Sequence, residues 1–218
     1  MHSVTTPSLR HVLFSLMVCT VLVAICYAWV DPAVAFWVDR ADFRRWRFFE
    51  YCTHLVDGVV WATALYYGYC ALTWRQNPTQ PRALLNIANS VTIAVFMKDA
   101  LKVVFGRYWP ATWINHNPSL LHDNAYGFHP FHVGTAFQSF PSGHTTVACA
   151  AMAALWFNFP RWRVVAVLGA LLVIVGLLAN DYHFVGDCIA GAWLGTTVAV
   201  YVYSTRRTPA LSQTKAQR

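Results

Sequence analysis

Charge is what this sequence has least of. Only 11% of its 218 residues are Asp, Glu, Lys or Arg, against about a quarter in an ordinary soluble domain. With 57% of residues hydrophobic and a positive mean hydropathy, a water-soluble globule is excluded. Patterned cysteine is also missing. Cys19, Cys26, Cys52, Cys70, Cys149 and Cys188 show no CxxC or CxxxC spacing, and most lie inside apolar runs. That excludes a disulfide framework and a thiolate metal site and leaves small buried hydrophobes. No metal motif is present and no cofactor is called for. Acidic residues number nine against sixteen Lys and Arg, a formal charge of +7. The basic residues fall in short connections between apolar runs, so membrane topology accounts for them and no nucleic-acid partner is expected.

What is present is apolar sequence in long runs, rich in the aromatic residues that line membrane interfaces. Val12–Val30 is long enough to cross a bilayer core of about 30 Å. Ala33-Val34-Ala35 could pass for a cleavage site, but the run exceeds a signal-peptide core of about 7–15 residues, so an uncleaved helix is expected. Asp31–Glu50 reads as a polar, aromatic connection. Further spans are expected over Tyr51–Trp74, Ala83–Val104, Gly143–Phe159, Val164–Asn180 and Phe184–Ser204, with a turn at Arg75–Arg82. Phe105–Pro141 is the one long connection, and such a loop is usually functional. The expected fold is an all-α, polytopic six-transmembrane-helix bundle with that long outer loop between helices 3 and 4. Residues 1–204 form one domain, and 205–218 form a polar, basic cytoplasmic tail.

The distribution of basic residues orients this plan. Arg10, Arg75, Arg82, Arg161, Arg163, Arg206, Arg207, Lys215 and Arg218 fall on one side, and seven Lys and Arg residues fall on the other. Every short loop and both termini on the first side are basic, so both ends are expected in the cytoplasm. Compactness and short loops suit a bacterial inner membrane, with the residues of chemical interest at its periplasmic face. Oligomeric state is not legible.

Three polar sites meet on that outer side. Lys102, Gly106 and Arg107 leave the third span. Ser142-Gly143-His144 opens the fourth, with Ser142 as N-cap, so that free N–H donors and the helix dipole favour a bound anion. His183 and Asp187, four residues apart, share a face if helical. Ionisable groups at membrane depth are costly and mark function.

Lys102 with Pro110, then Pro141-Ser142-Gly143-His144, then His183-x-x-x-Asp187 resembles the signature of the type 2 phosphatidic acid phosphatase superfamily. The resemblance implies a metal-independent lipid phosphatase acting at the outer leaflet on a phosphomonoester or pyrophosphate. His183 would be the nucleophile and form a phosphohistidine, with Asp187 orienting it. His144 would protonate the leaving oxygen and later activate water. Lys102, Arg107, Ser142 and Gly143 would hold the phosphoryl oxygens. Two positions depart from the family pattern. Trp109 stands where an arginine precedes Pro110, and Leu177 stands six residues before His183, where a second arginine is usual. Arg107, and Arg44, Arg45 or Arg47, are the candidate replacements. Related lipid phosphotransferases also lack those arginines, so transfer to an acceptor alcohol is the alternative activity, and an idle lipid-binding scaffold the alternative class. Phosphatidate, phosphatidylglycerophosphate, lipid A phosphate and polyprenyl pyrophosphate all fit as substrates.

Other polar residues have plainer readings. Lys98 either contacts phosphate or, as expected, pairs with Asp57 or Asp99. His54 is expected in the interior, Asn180 and Asp181 at the turn or the ligand, and the loop histidines in ordinary hydrogen bonds.

Overall fold

The computed structural model describes residues 6–76 and 81–205. The basic tail and residues 77–80 of the Arg75–Arg82 turn lie outside the described residues, which are helical apart from a long connection carrying isolated β-bridges.

The chain begins with a 33-residue helical rod, Leu9–Ala41, rather than a span ending at Val30. It consists of α1 (Leu9–Ile25), one wide π-helical turn (Cys26–Val30) and α2 (Asp31–Ala41). The expected break at Asp31-Pro32 is absent because proline is tolerated in a first helical turn, where its missing N–H costs nothing. The wide turn accommodates the ring, and the Asp31 N–H reaches back to the Cys26 carbonyl. Asp31 itself is only 1% exposed, so its polarity serves the interior and not a water-facing connection. Asp42, in the left-handed conformation, ends the rod, and a short 3₁₀ turn (Phe43–Arg45) leads to α3 (Arg47–Thr73).

Then follow α4 (Arg82–Phe105), the short α5 (Leu120–Asp123), α6 (Gly143–Asn158), α7 (Arg163–Ala179) and α8 (Val185–Thr205). Four of the expected six spans are long and apolar enough to cross a membrane: the N-terminal rod, α3, α7 with its preceding turn, and α8. The other two fall short for physical reasons. α4 carries Lys98, Asp99 and Lys102, and α6 has only 16 residues. α6 is the innermost helix, packed on α4, α7 and α8. Its closest partner, α8, approaches through Gly191 and Gly195. A Cβ at Gly191 would lie 2.7 Å from the Ser142 carbonyl, and one at Gly195 would strike the Thr146 carbonyl. Small residues at this spacing let two helix backbones touch.

The long connection is ordered by its own bonds. Gly106, at positive φ, turns the chain out of α4. Arg107 bridges to Phe128 and Gln138, and Trp109 to Ser119. The Asn117 amide accepts from Trp113 and Ile114 and donates to the Ala111 carbonyl. This cap lies over the site-bearing ends of α4, α6 and α8.

Candidate active site

The Ser142 hydroxyl accepts from the Thr145 N–H and so caps α6, while Gly143 and His144 form its open first turn. Across the Gly191 contact, Asp187 lies in the first turn of α8. One of its oxygens, Oδ2, accepts from the Phe184 N–H at 3.0 Å, the backbone half of a capping box. Oδ2 also accepts from the Ser139 hydroxyl at 2.6 Å, and Oδ1 accepts from Arg107 Nη1. His183 Nδ1 lies 3.5 Å from Oδ2 and has no shorter partner.

Lys102, Gly143, His144 and His183 line one cavity of about 360 Å³, together with Lys98, Trp109, Trp113, Gln138 and several valines. Four of the seven expected site residues therefore meet at one space. Asp187 stands behind His183 with its side chain fully buried. Ser142 and Arg107 do not reach the cavity. Ser142 is completely buried and its hydroxyl is engaged with Thr145 on α6, so a phosphoryl contact through that hydroxyl is replaced by a capping role.

Arg107 needs the larger correction. It is fully buried, held by Asp187 Oδ1 and by Asp31 Oδ2 at 2.7 Å, and also donates to the Tyr126 hydroxyl. The rings of Tyr27, Tyr126, Phe128 and Phe184 surround the guanidinium within 5.4 Å. Burial alone would discourage the charge, but the two carboxylates outweigh it and hold its pKa above the ordinary arginine value. Arg107 thus lies behind Asp187, bonded to it, and does not line the cavity. Asp31 completes this network with Oδ1 on the Gly186 N–H, and no sequence signal pointed to it.

The other candidate clamps are also occupied. Arg44 pairs with Asp181 at 3.2 Å, Arg45 lies over the Trp46 ring, and Arg47 reaches Glu50 and Tyr51. None lines the cavity. Lys98 does, although it pairs with Asp99 at 2.5 Å as expected. The stems of both lysines pass over Gly143, since a Cβ there would meet Lys98 at 3.1 Å and Lys102 at 3.7 Å. Lys98 and Lys102 are one helical turn apart, a signal that was available in the sequence.

The two departures from the family pattern differ in kind. Trp109 packs 5.2 Å from the His183 ring and beneath the Lys102 ammonium, so it forms a cavity wall. Leu177 is 0% exposed within the apolar cluster of Val56, Val91 and Val147. Burial pushes the His183 imidazole below the ordinary histidine value against the opposing pull of Asp187. His54 is exposed and paired with Asp57 rather than interior, and Asn180 bonds the Gly176 carbonyl. Among the described residues no group of three His, Cys, Asp or Glu side chains is placed to share a metal ion.

A family model described as the PAP2 superfamily matches residues 83–209. A lipid A 1-phosphatase from Rhizobium johnstonii is 39% identical over 116 residues, covering 51% of this chain and 44% of that protein. A lipid A 1-phosphatase from Rhizobium etli is 40% identical over 107 residues, covering 49% and 43%. The chain thus matches less than half the length of these curated relatives. A crystal structure of a PAP2-type phosphatidylglycerolphosphate phosphatase from Bacillus subtilis is 16% identical, with a TM-score of 0.40 over 87% of this chain and 94% of that one.

Proposed function

The chain belongs to the PAP2 superfamily, and from that premise we propose that it is an integral-membrane phosphatase that removes phosphate from a lipid at the outer leaflet. The observation that carries this reading is the single cavity joining His183, His144, Lys98, Lys102 and the open N-terminus of α6, with Asp187 buried behind His183. In this reading α6 crosses the bilayer as an interior helix and α4 as one with an exposed apolar face, and the cap and site face the periplasm.

The chemistry follows from the positions. With Nδ1 turned to Asp187, His183 offers Nε2 to the phosphorus. The N–P bond forms as the P–O bond to the lipid breaks, and His144 gives its proton to the departing oxygen, a role worth about 10²–10⁴ in rate. Lys98, Lys102 and the α6 N–H groups neutralise the phosphoryl oxygens where charge develops. Water then attacks phosphorus, His144 takes its proton, the N–P bond breaks, and inorganic phosphate leaves. Arg107 keeps Asp187 ionised and aimed, and Asp31 holds Arg107 in place. The lysine pair takes the place of the two absent arginines.

The test is phosphate release by the purified full chain in detergent with EDTA, over phosphatidate, phosphatidylglycerophosphate, lipid A 1-phosphate and polyprenyl pyrophosphate. Release from at least one lipid is expected, with none from His183→Ala and an acid-labile phosphoenzyme accumulating in His144→Ala. Phosphate passing only to an added alcohol, with no release to water, would replace hydrolysis by phosphotransfer. Release undiminished in His183→Ala would overturn the mechanism.

A further inference from the structure

Asp187 faces more donors than one of its oxygens can take. Oδ1 accepts from Arg107 Nη1, while Oδ2 accepts from the Ser139 hydroxyl at 2.6 Å and from the Phe184 N–H at 3.0 Å. An ionised carboxylate oxygen offers about two lone-pair sites, so Oδ2 is already filled. His183 Nδ1 faces that same oxygen from 3.5 Å, longer than a good N–H···O bond. It is a buried nitrogen with no other partner among the described residues. Of the two donors on Oδ2, the Phe184 N–H is backbone at the start of α8 and is fixed there. The Ser139 hydroxyl is a rotor. Its own backbone is held, because the Ser139 N–H donates to the Arg107 carbonyl at 3.2 Å and Lys102 Nζ donates to the adjoining Gln138 carbonyl at 2.5 Å. Ser139 is 0% exposed, so water does not compete for the hydroxyl.

We propose that Ser139 is a positioning residue: its hydroxyl occupies the site on Asp187 Oδ2 that His183 Nδ1 needs, and yields it only when the His183 ring becomes charged. The inference rests on the phosphatase reading, in which His183 is the nucleophile. Before attack, Nε2 needs its lone pair, and a tight Nδ1–H bond to Oδ2 would favour the imidazolium, which has none. After attack, the phosphorylated ring carries positive charge with its proton on Nδ1. A bond between opposite charges in a water-excluded site then outweighs one from a neutral hydroxyl. Only an interaction that is stronger in the transition state than in the ground state speeds the step. Ser139 thus reserves the pull of Asp187 for the moment when charge develops, and its hold accounts for the unpaired Nδ1. The other charged or titratable side chains around His183 leave Oδ2 alone. Lys98 and Lys102 on α4 and His144 on α6 line the cavity in front of the ring, and α3 contributes only Val56 and Val60. Asp181, in the turn before His183, is paired with Arg44, and Arg107 is bonded to Oδ1.

The experiment follows the His183 imidazole by NMR in the full chain, purified in detergent with isotopically labelled histidine, its signals identified by their loss in His183→Ala. Phosphate release from the lipid panel is measured on the same preparations. In wild type the Nδ1 proton should lack the far-downfield position of a strong bond at neutral pH and gain it as the ring protonates in acid. In Ser139→Ala that bond should be present at neutral pH. The imidazole titration and the acid limb of kcat/KM should both move up by about one pH unit, the size set by one hydrogen bond to a charged acceptor. The sign follows because protonation no longer has to displace the hydroxyl. Ser139→Thr, which keeps a hydroxyl, should titrate with the wild type. A merely structural serine would move neither titration. An unchanged titration in folded Ser139→Ala would overturn the proposal. So would a wild-type Nδ1 proton already far downfield at neutral pH, a result that needs no variant. The expected titrations without phosphate release from any lipid would keep the hold of Ser139 on Asp187 and remove the phosphatase reading.

Discussion

Lys98 and His183 carry the sharpest consequences at the level of single residues. Lys98 lines the cavity beside Lys102 and pairs with Asp99. A hydrogen bond to a charged group is worth about 1.5–3 kcal/mol, so Lys98→Ala is expected to lower kcat/KM about 10- to 100-fold. Arg44→Ala should leave it nearly unchanged, because that guanidinium serves Asp181. Steady-state kinetics on one lipid phosphate distinguishes the two. His183 is held below the ordinary histidine pKa, first by burial. The acid limb of the kcat/KM profile should therefore lie below about 6.5, the unperturbed value. Opening the wall with Trp109→Ala should move it upward. The same shift has a stability sign. A histidine with a depressed folded pKa contributes stability above its unfolded pKa and loses it as pH falls, so thermal midpoints should drop on the acid side in wild type and less in His183→Ala.

Helices explain what single residues cannot. Asp31 is placed by the wide turn between α1 and α2, and it reaches both Arg107 and the first turn of α8. Removing one partner from a buried ion pair costs about 3–5 kcal/mol, because a charge is left uncompensated. Asp31→Ala is expected to be destabilised on that scale and to lose activity through Asp187, although Asp31 does not line the cavity; denaturation in detergent and kcat measure the two effects. The motif helices were legible in the sequence because their signals are local. Ser142 three residues before Thr145, and His183 four before Asp187, are contacts within one turn. Asp31 was not legible, since its partners lie 76 and 155 residues away and only folding brings them together. The place of Arg107 was hidden for the same reason. Near Lys102 in sequence it suggested a phosphate contact, yet the turn at Gly106 sends it behind Asp187. The order of the long cap was hidden because Asn117 and Trp109 bond to backbone groups, which leave no residue pattern.

For the molecule as a whole, topology is the testable property. If the basic connections lie inside, a fluorescent protein fused to the C-terminus should fold and glow in intact bacterial cells. A cysteine at exposed Val133, in the cap, should react with an impermeant maleimide added outside. The native cysteines are buried and should stay silent. The opposite pattern in both reporters would invert the orientation. The apolar helices were foreshadowed by composition, but the six-run pattern could not separate the enclosed α6 from helices with an exposed face. That division depends on which neighbours cover a helix.

The matched family segment begins at residue 83, well after Asp31. Kinship and sufficiency therefore diverge in this chain: the portion the family model matches does not contain the carboxylate that shares Arg107 with Asp187. A chain clipped after Asp31 would thus carry the signature residues without the carboxylate that shares Arg107 with Asp187.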